Sequence, residues 1–234
     1  CLNFYNILAP NLWRKYFKMF ELDEIMRRRE GKMFAEILNR LREGNHTASD
    51  LQKLKERCID EGECPTEAPR LFIQNVLVDE YNDKVYQSFD SVSKYTINAH
   101  DSVIGACSTE LKEKIMRQMP YVPLKNSKQL AHKLNIAVGQ RTEIAINIRT
   151  DDGLTNGASN VIKHIHLAND NKPSGLVWVQ FDCDDVGKKT RRENRNLYTE
   201  GVANSWTPVK PVTTQFAVGK TKSAQVVRKQ FPLR

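Results

Sequence analysis

Residues 144–165 limit the possible folds of this chain more than any other segment, because turn-forming residues there separate two strand patterns. Before the turns, β-branched side chains alternate and share one face of a strand: Ile144, Ile146 and Ile148. A second strand pattern resumes at Val161. Between them, Asn156-Gly157 tolerates the positive φ angles that close tight turns. We therefore expect one structural unit to meet another at Asp151-Asp152-Gly153.

Before this stretch the pattern is typical of mixed α and β structure. Apolar residues at helical spacing predict helices at Leu12–Met26, Lys32–Arg42 and Asp50–Cys58, the last capped by Ser49 with Gln52. A short buried strand is predicted at Leu71–Ile73, followed by a helix that Asn75 caps. Further elements are a strand at Tyr95–Ala99, a helix at Glu110–Met119 and a hairpin between Ile136 and Arg149.

Beyond residue 151 the pattern favours strands only. They are predicted at Leu176–Phe181, Val209–Val218 and Gln225–Leu233. Short strands separated by turns indicate a small antiparallel barrel or sandwich. A basic loop is predicted between Phe181 and Val209, with five cations: Lys188, Lys189, Arg191, Arg192 and Arg195.

Charge favours a polyanionic partner. The formal net charge is +8, and residues 151–234 hold 13 Lys and Arg against 8 Asp and Glu. Cations that neutralise phosphates release counterions, which favours binding to nucleic acid. The five scattered cysteines are odd in number and indicate a reducing, intracellular environment. No apolar run reaches the roughly 20 residues of a membrane helix, so no membrane partner is expected.

Local motifs do not predict a metal site or a phosphate loop. Cys58 and Cys64 lack the spacing of a zinc knuckle or ribbon, even with His46 or His100 added. The strings that begin at Gly187 and Gly219 lack the earlier glycine that a nucleotide loop requires. No nucleophile and base can be paired from spacing alone, so composition and motifs leave the reaction open.

Several strings together resemble a known family. They are Leu12-Trp13-Arg14 with the segment 22–27, Phe34 to Gly44, Leu71 to Asn75 with Val78 and Asn82, Asp151 to Ala158, Ser205 to Val209, and Gln230-Phe231-Pro232-Leu233. In this order they resemble the second motor domain of Pif-type (petite integration frequency) superfamily 1 DNA helicases, and more narrowly the version carried by Helitron transposons. The resemblance covers nearly the whole chain.

The resemblance implies an α/β fold. Residues 1–150 would form part of the second RecA-like domain of a P-loop NTPase, and residues 151–234 a small antiparallel Src-homology-type β-barrel inserted into it. The full-length enzyme would use ATP and Mg²⁺ to move 5′ to 3′ on single-stranded DNA. Walker A and B motifs would precede Cys1, so this chain alone is expected to bind no cofactor and to be inactive.

The resemblance also implies a cellular role and partners. The parent enzyme would act in DNA recombination, DNA repair, telomere maintenance or transposon replication, in the nucleus. Its partners would be single-stranded DNA and its own first RecA-like domain. The runner-up hypothesis is a non-catalytic, single-stranded nucleic-acid-binding module from a decayed transposon.

Site residues follow from the same comparison, each beside a structural alternative. Arg27 matches the arginine that reaches the γ-phosphate of ATP, where it would stabilise charge in phosphoryl transfer. Here Arg28 replaces the usual glutamine, and Arg27 also suits the carbonyl end of a helix. Asn75 would contact a DNA phosphate or cap its helix.

The five cations of the predicted basic loop, Lys188, Lys189, Arg191, Arg192 and Arg195, would line the DNA path. Trp178 or Trp206 would then be available to stack on bases. Both tryptophans lie in strand patterns, so packing in the core is the favoured alternative for each.

Overall fold

The structure is a computed structural model that describes residues 12–20, 32–65, 68–105, 108–168, 171–218 and 224–234. The chain divides into two compact units, one ending at Arg70 and the other comprising Leu71–Arg234. Within the described ranges, no helix is long and apolar enough to cross a membrane.

The described part of the first unit is helical. Its helices are α1 (Leu12–Tyr16), α2 (Lys32–Glu43) and α3 (Ala48–Lys55). Helix α2 buries Ala35 and Ile37 and ends before Gly44 as predicted. The side chains of α1 are all exposed, and without a buried face nothing extends a helix beyond its first turns. The predicted helix to Met26 therefore stops at Tyr16, and residues 21–31 lie outside the described ranges.

The predicted capping residue of α3 was wrong. Thr47 is the N-cap: its hydroxyl accepts the backbone NH of Asp50, and the Asp50 carboxylate accepts the NH of Thr47 at 2.9 Å. This reciprocal pair is a capping box. The carboxylate also receives two hydrogen bonds from Arg40 on α2, at 2.9 and 2.7 Å. Because Asp50 serves both helices, the cap shifts two residues from the predicted Ser49.

The second unit is mixed α and β, as predicted. Its elements are α4 (Asn75–Ser88), β1 (Lys94–Asn98), β2 (His100–Gly105), α5 (Thr109–Gln118), β3 (Lys133–Ala137), β4 (Arg141–Glu143), β5 (Ser159–His166), β6 (Leu176–Phe181), α6 (Lys188–Glu193), β7 (Thr207–Val209), β8 (Val212–Ala217) and β9 (Ala224–Gln230). The strand predictions at residues 95–99, 161–165, 176–181 and 225–233 are confirmed apart from their ends.

The strands form three sheets in which every pair is antiparallel. The sheet orders are β1-β3, β2-β9-β8 and β4-β5-β6-β7. The predicted hairpin between Ile136 and Arg149 is wrong, because β3 pairs with β1 whereas β4 pairs with β5. The boundary predicted at residue 150 concerns helicase domains and stays a prediction, and strands from both sides of it pair here.

The segment 144–165 contributes Ile144 to the larger hydrophobic core. Ile144 is fully buried, and its backbone NH and carbonyl bond to Ala158 and Gly157 at 3.0 and 2.8 Å. The predicted Asn156-Gly157 turn is confirmed, with Gly157 at a φ of 86°. Ile144 also forms a β-bridge to Leu233, near the end of the chain. Apolar residues of the sheets β1-β3 and β4-β5-β6-β7 pack around this point, together with Phe231, which follows β9: Ile97, Ile136, Ile162, Val177 and Val179.

The predicted buried strand at Leu71–Ile73 is wrong. These residues adopt no strand, and Leu71 and Ile73 are 97% and 102% exposed. A strand needs a neighbour to satisfy its backbone groups. Among the residues that the structure describes, no strand pairs with this segment.

Candidate nucleic-acid interface

The basic segment predicted as a loop forms the short helix α6, and Asp152 caps it from a distant part of the chain. One carboxylate oxygen of Asp152 accepts the backbone NH of Lys189 at 2.8 Å. The other accepts the backbone NH and the hydroxyl of Thr190, at 2.8 and 2.7 Å. Oxygens that satisfy the first amides stabilise a helix. The loop prediction was wrong because this cap lies 37 positions before Lys189.

Asp152 carries its negative charge in a largely buried position. The residue is 5% exposed. Burial opposes ionisation, but hydrogen bonds from Thr190 and Lys189, together with the charge of Arg149, outweigh it and lower the pKa of Asp152. A carboxylate at the amino end of a helix also interacts favourably with the helix dipole.

The same contacts exclude a phosphate loop at the string beginning with Gly187. The backbone NH of Gly187 donates to the carbonyl of Asp152 at 2.8 Å, and the amides of Lys189 and Thr190 donate to its carboxylate. A phosphate loop requires free amides at this place. The second such string, which begins at Gly219, lies outside the described residues.

Two ion pairs fix the rest of α6 to the turn around Asp151. Arg149 donates to both carboxylate oxygens of Glu193, at 2.6 and 2.9 Å, and this hydrogen bonding raises the pKa of Arg149. The ammonium group of Lys189 donates to Asp151 at 2.8 Å, which lowers the pKa of Asp151. Because exposed ion pairs are weak, these pairs orient the helix more than they stabilise the fold.

Arg191 contacts the protein itself. Its guanidinium donates to the carbonyl of Val186 at 2.7 Å, to the hydroxyl of Thr207 at 2.9 Å and to the carbonyl of Asp184 at 2.6 Å. Three of the five N–H donors of an arginine are therefore used to join α6 to the preceding turn and to β7. The predicted DNA contact of Arg191 stays a prediction.

The remaining cations of α6 and its following turn are exposed. Lys188 pairs with Asp185, three residues before it. The side chains of Arg192 and Arg195 make no hydrogen bond or ion pair with any described residue. Their guanidinium groups are therefore available to a ligand.

An open cleft of about 860 Å³ lies along this surface. It is lined by all five predicted cations together with Tyr198 and Asn204. The structure therefore brings together the whole predicted basic set. We define the basic cleft as the space lined by Lys188, Lys189, Arg191, Arg192, Arg195, Tyr198 and Asn204.

Sequence reasoning missed Asp152, Tyr198 and Asn204. The acidic pair at Asp151-Asp152 was interpreted as the boundary between two structural units, although a carboxylate before a glycine is also a candidate cap for a helix elsewhere in the chain. Tyr198 follows the basic segment closely in the sequence, and its nearness was the one available signal. Asn204 carried no signal.

The other predicted site residues lie elsewhere. Asn75 is the exposed first residue of α4, whose N-cap is Gln74, so the capping alternative was wrong. Asn75 does not line the basic cleft, and its phosphate contact stays a prediction. Arg27 and its neighbour Arg28 lie outside the described residues.

The tryptophans differ in their surroundings. Trp178 is 3% exposed on β6, so the core alternative is confirmed for it and stacking on a base is excluded. Trp206 is half-buried, and its carbonyl accepts the hydroxyl of Tyr198 at 2.5 Å.

Side chains of the types that bind metal ions do not cluster in the described ranges. Within the described part of the chain, no three His, Cys, Asp or Glu side chains are arranged to hold a metal ion. Cys58, Cys64 and Cys183 are free thiols.

No protein-family model matches the chain, and no curated protein matches it. Among solved structures, the chain is similar to Pif1 helicase from Candida albicans, with a TM-score of 0.57 and 18% sequence identity over 95% of this chain and 47% of that one. It is similar to Bacteroides sp Pif1 in complex with ADP-AlF4, with a TM-score of 0.51 and 14% identity over 90% and 39%. It is also similar to unliganded Bacteroides sp Pif1, with a TM-score of 0.50 and 15% sequence identity over 92% of this chain and 39% of that one.

These similarities concern the fold. The chain spans less than half the length of each of these helicases. The predicted resemblance to Pif-type helicases is confirmed at this level, over most of the chain. The narrower resemblance to the Helitron version stays a prediction.

Proposed function

We propose that this chain is part of a Pif1-like superfamily 1 DNA helicase and that its basic cleft binds single-stranded DNA. Residues 1–150 would belong to the second RecA-like domain and residues 151–234 to the Src-homology-type barrel. The fold similarity over 95% of the chain supports this proposal. The antiparallel sheet β4-β5-β6-β7 is compatible with part of a small barrel, whereas β8 and β9 pair with β2.

One observation carries the DNA-binding part of the proposal. Arg192 and Arg195 are exposed, form no hydrogen bond or ion pair with any described residue, and lie beside three further cations on one cleft. Helix α6 is anchored by a buried carboxylate, so the backbone that carries these side chains is fixed before a ligand arrives. Phosphates neutralised there would release counterions.

The catalytic part of the proposal concerns the whole parent enzyme. ATP with Mg²⁺ would be held mainly by the first RecA-like domain, and Arg27 would reach the γ-phosphate from this chain. A role in DNA recombination, repair or transposon replication, and a nuclear location, belong to the same proposal. The Walker A string, Gly-x4-Gly-Lys followed by Ser or Thr, does not occur in these 234 residues, so we expect no ATP hydrolysis by them alone.

Fluorescence anisotropy with labelled oligothymidine tests the DNA-binding part. We expect log K to fall linearly with log salt, with a slope no steeper than about −3 for four exposed cations at about 0.7 each. The charge reversal Arg192→Glu with Arg195→Glu should abolish binding at moderate salt, whereas the double reversal Lys163→Glu with Lys172→Glu, outside the cleft, serves as the charge-matched control. A flat salt response, or equal losses in both variants, would refute the proposal.

ATP hydrolysis separates the helicase from the runner-up, a non-catalytic single-strand-binding module from a decayed transposon. The basic cleft lies wholly within this chain and needs no nucleotide site, which is the observation that favours the module. Joining the chain to a first RecA-like domain with intact Walker motifs should produce DNA-stimulated ATPase activity only if the helicase proposal holds. The Arg27→Ala variant of that fusion should then lose the activity.

A further inference from the structure

Tyr198 lies in the basic cleft, yet it is an aromatic side chain among cations. Its hydroxyl donates to the carbonyl of Trp206 at 2.5 Å. Burial raises the pKa of Tyr198, so the phenol stays neutral and the hydrogen bond is kept. The polar end of this residue is therefore committed to the protein, and the surface that it contributes to the cleft is mainly its ring.

The ring of Tyr198 is also fixed from within the core. Its centroid lies 4.8 Å from that of Trp178, with an angle of 67° between the ring planes. Such edge-to-face pairs are favourable beyond their buried area. Since Trp178 is held on β6 in the core, the contact locks the orientation of Tyr198. Little side-chain entropy would be lost if a flat ligand packed against it.

We propose that Tyr198 is the nucleobase subsite of the basic cleft, where one base of a single strand stacks while Arg192 and Arg195 contact its phosphates. The inference rests on the proposed function and adds the residue that recognises the base. A rigid aromatic surface beside cations suits a ligand that is flat and apolar in one part and anionic in the next. A single-stranded nucleotide has both parts.

Other anionic ligands use only half of these features. A free phosphate or an acidic peptide would satisfy the cations but offers no planar group for the ring. The volume of about 860 Å³ lies within the range of pockets that enclose whole organic ligands. Duplex DNA keeps its bases stacked inside the helix, so the subsite should favour single strands.

The test compares two probes on the full 234-residue chain: oligothymidine and an abasic oligodeoxynucleotide of the same length. Base stacking on an aromatic side chain contributes about 1–3 kcal/mol, so the wild-type chain should bind oligothymidine about 5- to 140-fold more tightly. The Tyr198→Leu variant should lose this preference and bind both probes alike. The Tyr198→Phe variant keeps the ring and should retain the preference.

A second measurement needs no variant and covers the case that Tyr198→Leu does not fold. Ultraviolet crosslinking of an oligonucleotide with 5-iodouracil should attach the base to the peptide that contains Tyr198, identified by mass spectrometry. Crosslinks only to other peptides, or equal affinity of the wild-type chain for both probes, would overturn the subsite. If neither probe binds, the proposed function itself fails, and tight binding of an acidic peptide instead would assign the cleft to a protein partner.

Discussion

The carboxylate of Asp152 accepts the hydroxyl of Thr190 at 2.7 Å, although 38 positions separate the two residues. This contact, with the two amide hydrogen bonds beside it, joins the turn at the centre of the sequence to the helix that carries the cations. These hydrogen bonds therefore connect the segment 144–165 directly to the candidate ligand surface.

Removing the buried cap should destabilise the protein. In Asp152→Ala, the first amides of α6 lose their acceptor. Loss of a helix cap costs about 0.5–2 kcal/mol, and unsatisfied buried donors cost about 1–3 kcal/mol, so we expect a loss near the upper end of about 3 kcal/mol in the free energy of unfolding. Urea denaturation measures it. The control Asp151→Ala removes an exposed carboxylate, and an equal loss there would contradict the role of the cap.

The same carboxylate predicts how stability depends on pH. The folded-state pKa of Asp152 is lowered, so its contribution is complete above the unfolded value near about 4 and is lost as pH falls through the folded value. The wild-type chain should therefore lose stability progressively below about pH 4. Asp152→Asn should start less stable and show a shallower loss. Urea midpoints measured down this pH series would contradict the assignment if the two slopes were the same.

Neighbouring arginines of the basic cleft should separate into a structural and a ligand-binding class. Arg191→Gln breaks three hydrogen bonds to the protein and should lower the free energy of unfolding by about 1–3 kcal/mol. Arg192→Gln should leave thermal unfolding unchanged but weaken oligothymidine binding and reduce the salt slope by about 0.7. Thermal melts and salt titrations of both variants check this prediction. Destabilisation by Arg192→Gln with unchanged stability of Arg191→Gln would contradict it.

Gly187 should resist substitution more than a glycine of similar backbone geometry. Gly187 and Gly201 have φ angles of 79° and 90°, which cost other residues about 1–2 kcal/mol. A Cβ at Gly187 would lie 2.6 Å from the hydroxyl oxygen of Thr207, whereas one at Gly201 would meet nothing within 4 Å. Gly187→Ala should therefore lower the melting temperature more than Gly201→Ala. Equal shifts would show that the contact with Thr207 relaxes without cost.

A buried ion pair should couple β2 to β9. Asp101 and Arg228 are register partners, and the fully buried guanidinium donates to both carboxylate oxygens at 2.7 Å. Arg228→Met removes two hydrogen bonds from the buried carboxylate of Asp101. We therefore expect it to lower the free energy of unfolding by about 3–5 kcal/mol. The double variant with Asp101→Leu should be less destabilised than Arg228→Met alone. Additive losses in this double-mutant cycle would contradict the coupling.

Much of the larger unit could be predicted because its signals are local. Alternation of apolar residues located β5, β6 and β9, and Asn156-Gly157 located a turn. The prediction failed where an element depends on remote partners. Leu71–Ile73 is apolar enough for a strand, but no described strand pairs with it. β3 is adjacent to β4 in the sequence, yet it pairs with β1.

The candidate site shows the same division. Residue order alone predicts that five cations lie close together near Lys188 and that the chain resembles Pif-type helicases, because charges and short strings are local features of a sequence. Folding sets the remaining features: the cations form a helix capped by Asp152, Arg191 is bound to the protein, and Tyr198 rather than Trp178 lines the cleft. Caps, ion pairs and burial depend on residues brought together from distant positions, and no local pattern records which residues will meet.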